Sequence, residues 1–149
     1  MTGPVITTEP RLTHTVRFFV PGKAAAQGSK RHVGRGILVE SSKEVGPWRE
    51  RVALAAHQVM DGTGSYIGPV RVTVRFVMPR PKSAPKTRYV YASKRPDLDK
   101  LVRAILDAIT DVCIADDAQV VELIASKELA SSVDGELQVG AHITVQELP

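Results

Sequence analysis

The sequence predicts one α/β domain of the α+β kind, a single compact unit in which a small mixed β-sheet packs with two main helices. Three observations predict it. The chain of 149 residues is long enough to bury its own core and short enough for one domain. Over 70–78 the apolar period is two, with Val70, Val72, Val74, Phe76 and Met78 on one face and Arg71, Thr73, Arg75 and Val77 on the other. Over 97–110 the period lengthens to that of a helix, and Leu98, Leu101, Val102, Ile105, Ala108 and Ile109 form a stripe that needs a partner surface.

The remaining elements follow in chain order. Residues 1–12 are polar, contain two prolines and read as a flexible tail, so the domain proper is 13–149. "HTVRFFV" alternates Val16, Phe18 and Val20 and predicts a first strand. "PGKAAAQGSKRHVGRG" is a glycine-rich basic loop; its glycine spacing and the order Gly28-Ser-Lys exclude a nucleotide-binding P-loop. "ILVE" predicts a short strand. Ser41 with Glu44 has the form of a capping box, and Trp48, Val52, Leu54, Ala55 and Val59 predict a helix over 44–60. Between 79 and 96 lies a long connection with four prolines, six basic residues, Tyr89 and Tyr91. Connections of that length are commonly functional, and bases interleaved with aromatics suit nucleic acid, while a surface loop with its tyrosines tucked back is the plain alternative. "AQVVELIAS" and "ELQVGAHITV" predict the last two strands, and the Asp-Gly of "SSVDGE" predicts a hairpin between them.

Composition narrows the class. The lone Cys113 excludes an intrachain disulfide and fits a reducing compartment. Neither a signal-peptide pattern nor an apolar run long enough to span a bilayer is visible, so a cytoplasmic protein without membrane contact is expected. The net charge of +4 conceals two unlike halves. Residues 1–95 carry 17 Lys and Arg against five acids, a balance of +12, and residues 96–149 carry three against 11, a balance of −8. Between Arg71 and Arg95 there are eight basic residues and no acid. A basic surface of this kind favours a polyanion, most often nucleic acid, because bound Lys and Arg release counterions from phosphates, while a solvated basic face is the plain alternative.

The acid is concentrated in "KRPDLDKLVRAILDAITDVCIADDAQVVEL", where Asp97, Asp99, Asp107, Asp116 and Asp117 sit among apolar residues. Taken singly, each aspartate is accounted for by helix capping or a turn. Taken together, Asp-x-Asp at a helix start and Asp-Asp before a strand suggest gathered carboxylates, if the helix folds back on that strand and joins them at one end. Clustered carboxylates repel unless a cation lies between them, and oxygen-only ligands select a hard ion such as Mg²⁺. Acid beside a basic strand and loop is what phosphodiester hydrolysis requires: bases hold the backbone and carboxylates hold the metal.

"RPDLDKLVRAILDAITDV" followed by "DDAQVVEL" resembles the signature of the RusA family of Holliday junction resolvases, small dimeric Mg²⁺-dependent endonucleases of bacteria, prophages and phages. The family pattern is Pro-Asp-hydrophobic-Asp-Asn-Leu, a helix with Leu-Asp-Ala-Leu, then Asp-Asp-Ser/Ala-Gln-Val/Ile. "VRFFVPGKAAAQGSKR" resembles the family's opening strand and basic loop, so the likeness runs from about residue 15 onward. It implies that Asp97, Asp99 and Asp117 bind Mg²⁺ (or Mn²⁺), with Asp116 a supporting acid and Asp107 structural or adjacent to the site. The family's active-site lysine falls at Arg103, which is bulkier and does not donate a proton at neutral pH. Lys100, where the family commonly has Asn, supplies that ammonium or Arg103 holds the phosphate. Arg71 and Arg75 on the strand, and Lys82, Lys86, Arg88, Lys94 and Arg95 on the long connection, would grip DNA backbone. Lys23, Lys30 and Arg31 would add to that grip. The implied partner is branched DNA, the four-way junction, held by a homodimer, with no nucleotide cofactor. Two-fold symmetry fits a substrate with two strands to cut.

Two rival readings share these residues: a nuclease acting on flaps or forks, and a non-catalytic DNA-binding protein whose carboxylates only cap and turn. His14, His32, His57 and His142 lack ligand spacing, and Cys113 lies in an apolar run that reads as packing.

Overall fold

A computed structural model describes residues 14–28, 30–32, 38–40, 43–131 and 138–149 of the chain. The expected tail over 1–12 and the proposed cap residue Ser41 lie outside these residues. β1 (Thr15–Pro21), the short strands β2 (Lys30–His32) and β3 (Leu38–Glu40), and α1 (Val45–Met60) come first. β4 (Val70–Met78), α2 (Leu98–Ile109), a 3-10 turn (Asp117–Gln119), β5 (Val120–Leu129) and β6 (Gly140–Glu147) complete the chain. The main sheet has four strands in the order β1-β6-β4-β5, and β2 pairs with β3 separately.

β4 is the central strand, and its alternation does the organising. Val70, Val72, Val74, Phe76 and Met78 are all buried and belong to one core with the helices. α1 contributes Trp48, Val52, Ala56 and Met60 to it, and α2 contributes Leu101, Ile105 and Ile109. The larger of these side chains, such as Trp48, Leu101, Ile105 and Ile109, are worth about 2–5 kcal/mol each against alanine. The helix period predicted for 44–60 holds, but Leu54 lies off the stripe and is exposed. Nor does Glu44 cap the helix: its residue occupies the N-cap position with no side-chain hydrogen bond.

The predicted hairpin between the last two strands is corrected by the topology. β6 runs antiparallel between β1 and β4, while β5 runs parallel to β4 on its far side, so β5 and β6 are not neighbours. The Asp-Gly pair itself lies outside the described residues, and β6 takes its register from β4, with Val72 opposite Val145 and Val74 opposite Ile143. Gly140 opens β6 where no side chain fits, since a Cβ there would stand 2.4 Å from the Val20 carbonyl oxygen.

The parallel pair fixes the position of α2. A helix linking two parallel strands must run antiparallel to both. Its start therefore lies near the ends of β4 and β5, and its finish near their beginnings. β5 closes the sheet as an edge strand that leaves Val121, Leu123 and Ile124 exposed.

Candidate functional site

Asp97 sits at the N-cap of α2 with extended backbone, but its side chain makes no capping hydrogen bond. Its recorded partner is the Lys100 ammonium, 3.8 Å away across one helical turn. Asp99 and Arg103 are exposed one turn apart, and neither has a side-chain partner among the described residues. Asp97 therefore makes no capping hydrogen bond from its side chain, while Asp99 lies in the first turn of α2, where a carboxylate complements the helix dipole.

Asp116 behaves in the opposite way. Its carboxylate accepts from the Ala118 amide at 2.8 Å, and Gln119 reaches back to the Asp116 amide at 2.9 Å, a complete capping box. Gln119 also donates to the carbonyls of Tyr66 at 2.7 Å and Gly68 at 2.9 Å, which ties this turn to the segment entering β4. Asp117, next in line, is exposed and has no side-chain partner among the described residues. Asp107 is bound to structure: it faces Arg49 at 3.8 Å, and Arg49 also donates to Gln27 at 2.9 Å, joining α2 to α1 and to the first basic loop.

The two carboxylate pairs do not meet within the chain. α2 has 12 residues and is about 18 Å long. Asp97 and Asp99 lie at its start, beside the end of β5; Asp116 and Asp117 lie beyond its finish, at the beginning of β5. The expected joining of Asp97, Asp99 and Asp117 at one end of a helix-strand pair is thus not seen in one protomer, because α2 is antiparallel to β5 and not folded end to end upon it. Among the described residues, no group of three or more His, Cys, Asp or Glu is placed to hold a metal ion. The donor chemistry does suit a hard cation, being carboxylate oxygen throughout, but one chain offers it as two separate halves.

Lys127 is the residue that sequence reasoning missed. It projects from the helix-facing side of β5, paired in register with Phe76, and its ammonium donates to the carbonyls of Lys94 and Pro96, both at 2.7 Å. It thereby fixes the segment that leads into Asp97. A lone Lys in a strand gives no warning of this; its stem lies along the sheet while its head reaches polar atoms. The Asp116-x-x-Gln119 spacing, by contrast, was a readable capping signal. The Gln27 backbone N–H donates to the Lys100 carbonyl at 3.0 Å, so the first basic loop also converges on the start of α2.

The basic residues divide between two places. Lys23, Lys94 and Arg95 surround a cavity near the start of α2, and Lys82, Lys86 and Arg88 are exposed along the connection. Arg71 and Arg75 stand on the other face of the sheet, Arg71 Nε 2.7 Å from Glu122 and Arg75 paired with Glu128. The side chains of Lys30 and Arg31 in β2 lie outside what is described. Burial pushes the Cys113 thiol up to about 11, as expected of a packed and unreactive group.

A four-stranded mixed sheet and two helices define a small α+β protein. The chain belongs to the endodeoxyribonuclease RusA family, which matches residues 8–143. It is also similar to the uncharacterized protein YqaN of Bacillus subtilis (strain 168), 29% identical over 123 residues, covering 75% of this chain and 86% of that protein. The family implies an endonuclease that resolves Holliday junctions.

Proposed function

We propose that this protein is a divalent-cation-dependent endodeoxyribonuclease that resolves four-way DNA junctions as a homodimer. The observation that carries the reading is the division of the carboxylates, with Asp97 and Asp99 at one end of α2 and Asp117 at the other. Between them runs β5, which among the described residues is an edge strand of the main sheet, with Val121, Leu123 and Ile124 exposed. Such an edge invites pairing with a second copy. Antiparallel pairing about a two-fold axis lays the start of one β5 against the end of the other. The partner's Asp117 then approaches Asp97 and Asp99, and two equivalent sites arise by symmetry.

Asp97, Asp99 and the partner's Asp117, with Asp116 behind, would hold Mg²⁺, or Mn²⁺ by the same oxygen chemistry. The bound cation supplies an activated water at neutral pH and offsets charge on the phosphate. The chain's own residues do the rest. Lys100 balances Asp97, and Arg103, with no other partner among the described residues, presents its fork of donors to a phosphate oxygen. Lys94 and Arg95 hold the backbone on the approach, while Lys127 keeps the segment before Asp97 in place.

The test is direct. Purified protein is expected to nick a synthetic four-way junction in Mg²⁺ and to stop when EDTA is added, with flap and fork substrates cut more slowly. Binding without nicking in Mg²⁺ or Mn²⁺ would instead favour a non-catalytic DNA-binding protein.

A further inference from the structure

Beneath the connection of residues 79–96 is a cavity of about 390 Å³, within the size range of small-ligand sites. Its apolar lining comes from Met78, Leu129, Val90 and Pro81. Its rim is cationic, with Lys23, Lys94 and Arg95. Tyr91 also lines it while remaining 77% exposed, its ring held edge-on to Tyr89 with centroids 4.9 Å apart. The walls are anchored: Arg80 donates to the carbonyls of Pro85 and Arg88, and Lys127 to those of Lys94 and Pro96. Arg95 and Pro96, both lining residues, lead straight into Asp97.

An apolar hollow ringed by cations suits a ligand with a flat, weakly polar part and an attached anion. Resting on the nuclease reading above, we infer that this cavity receives one unstacked nucleotide of the DNA, next to the scissile phosphate at the Asp97 and Asp99 end of α2. The base enters the hollow beside Tyr91, and its phosphate lies among Lys94, Arg95 and Lys23. Flipped bases are held in such apolar and aromatic pockets, and extrusion costs least where stacking is already broken, as at the crossover of a junction. The cavity thereby adds recognition of a base to a surface that otherwise grips only backbone.

The experiment measures junction affinity with Ca²⁺ replacing Mg²⁺, using junctions that lack a single base at each position around the crossover in turn. One position is expected to weaken binding about tenfold or more when its base is removed, in line with the loss of one base–aromatic stack. Ala92→Trp, which fills the hollow from a half-buried surface position, should bind all these junctions alike. Tyr91→Ala, a change at an exposed ring that threatens no core, should shrink the effect at that same position. Uniform affinity across all positions in the wild-type protein, or a base effect that survives Ala92→Trp, overturns the inference, as does failure to bind junctions at all. If the wild-type protein binds with the base effect but does not nick in Mg²⁺, the nuclease reading falls and the nucleotide pocket stands.

Discussion

At the residue scale, neighbouring side chains of one type carry different tasks because the backbone holds them differently. Asp116 spends its carboxylate on the Ala118 amide, whereas Asp117 and Asp99 leave theirs without a described partner. Lys127 shows how much one ammonium can position. Replacing it with Met removes both bonds to the segment before Asp97 and should slow junction nicking by about 100-fold, the cost of a small misplacement at a reacting centre. Lys127→Arg, which keeps the charge and donors, should recover part of that rate, and Tm should show both variants folded. Cys113 is predicted to resist thiol reagents in the native protein and to react once urea unfolds it. Its thiol is raised from 9.0 to about 11 by burial, so the native state holds its proton where the unfolded chain has released it. Stability attributable to this group is complete below pH 9 and declines as pH rises toward 11, which alkaline denaturation of a Cys113→Ala comparison would reveal.

At the scale of elements, β4 and α2 were legible in the sequence nearly to the residue, because each has one clean apolar period that runs its whole length. α1 was legible in extent but not in its cap, and β2 went unread inside a loop whose glycines and bases give no period. The order of the strands was not legible. An Asp-Gly turn specifies a local reversal, while the choice of neighbour depends on which strand offers the better long-range register. The carboxylate residues were legible as chemistry, yet their separation follows from the direction of α2, which only the parallel pairing of β4 with β5 determines. That same pairing leaves β5 at the edge. Leu123→Lys together with Ile124→Lys is therefore expected to convert a dimer to a monomer in light scattering and to abolish nicking, with far-UV circular dichroism unchanged.

At the scale of the whole molecule, the charge asymmetry of the sequence maps onto a division of labour. The basic half supplies the loops that converge on the start of α2, through Gln27 at the Lys100 carbonyl and Lys94 at the Lys127 ammonium. The acidic half supplies α2, β5 and every carboxylate of the proposed site. Neither half suffices alone, and on this account neither does one protomer. The most direct measurement mixes two inactive variants, Asp97→Asn and Asp117→Asn, after unfolding and refolding them together. If each site draws Asp97 and Asp99 from one copy and Asp117 from the other, every mixed dimer holds one intact site, and nicking should return to about a quarter of the wild-type rate. If each variant alone is inactive and the refolded mixture, shown by light scattering to be dimeric, nicks no junction, the shared site is contradicted.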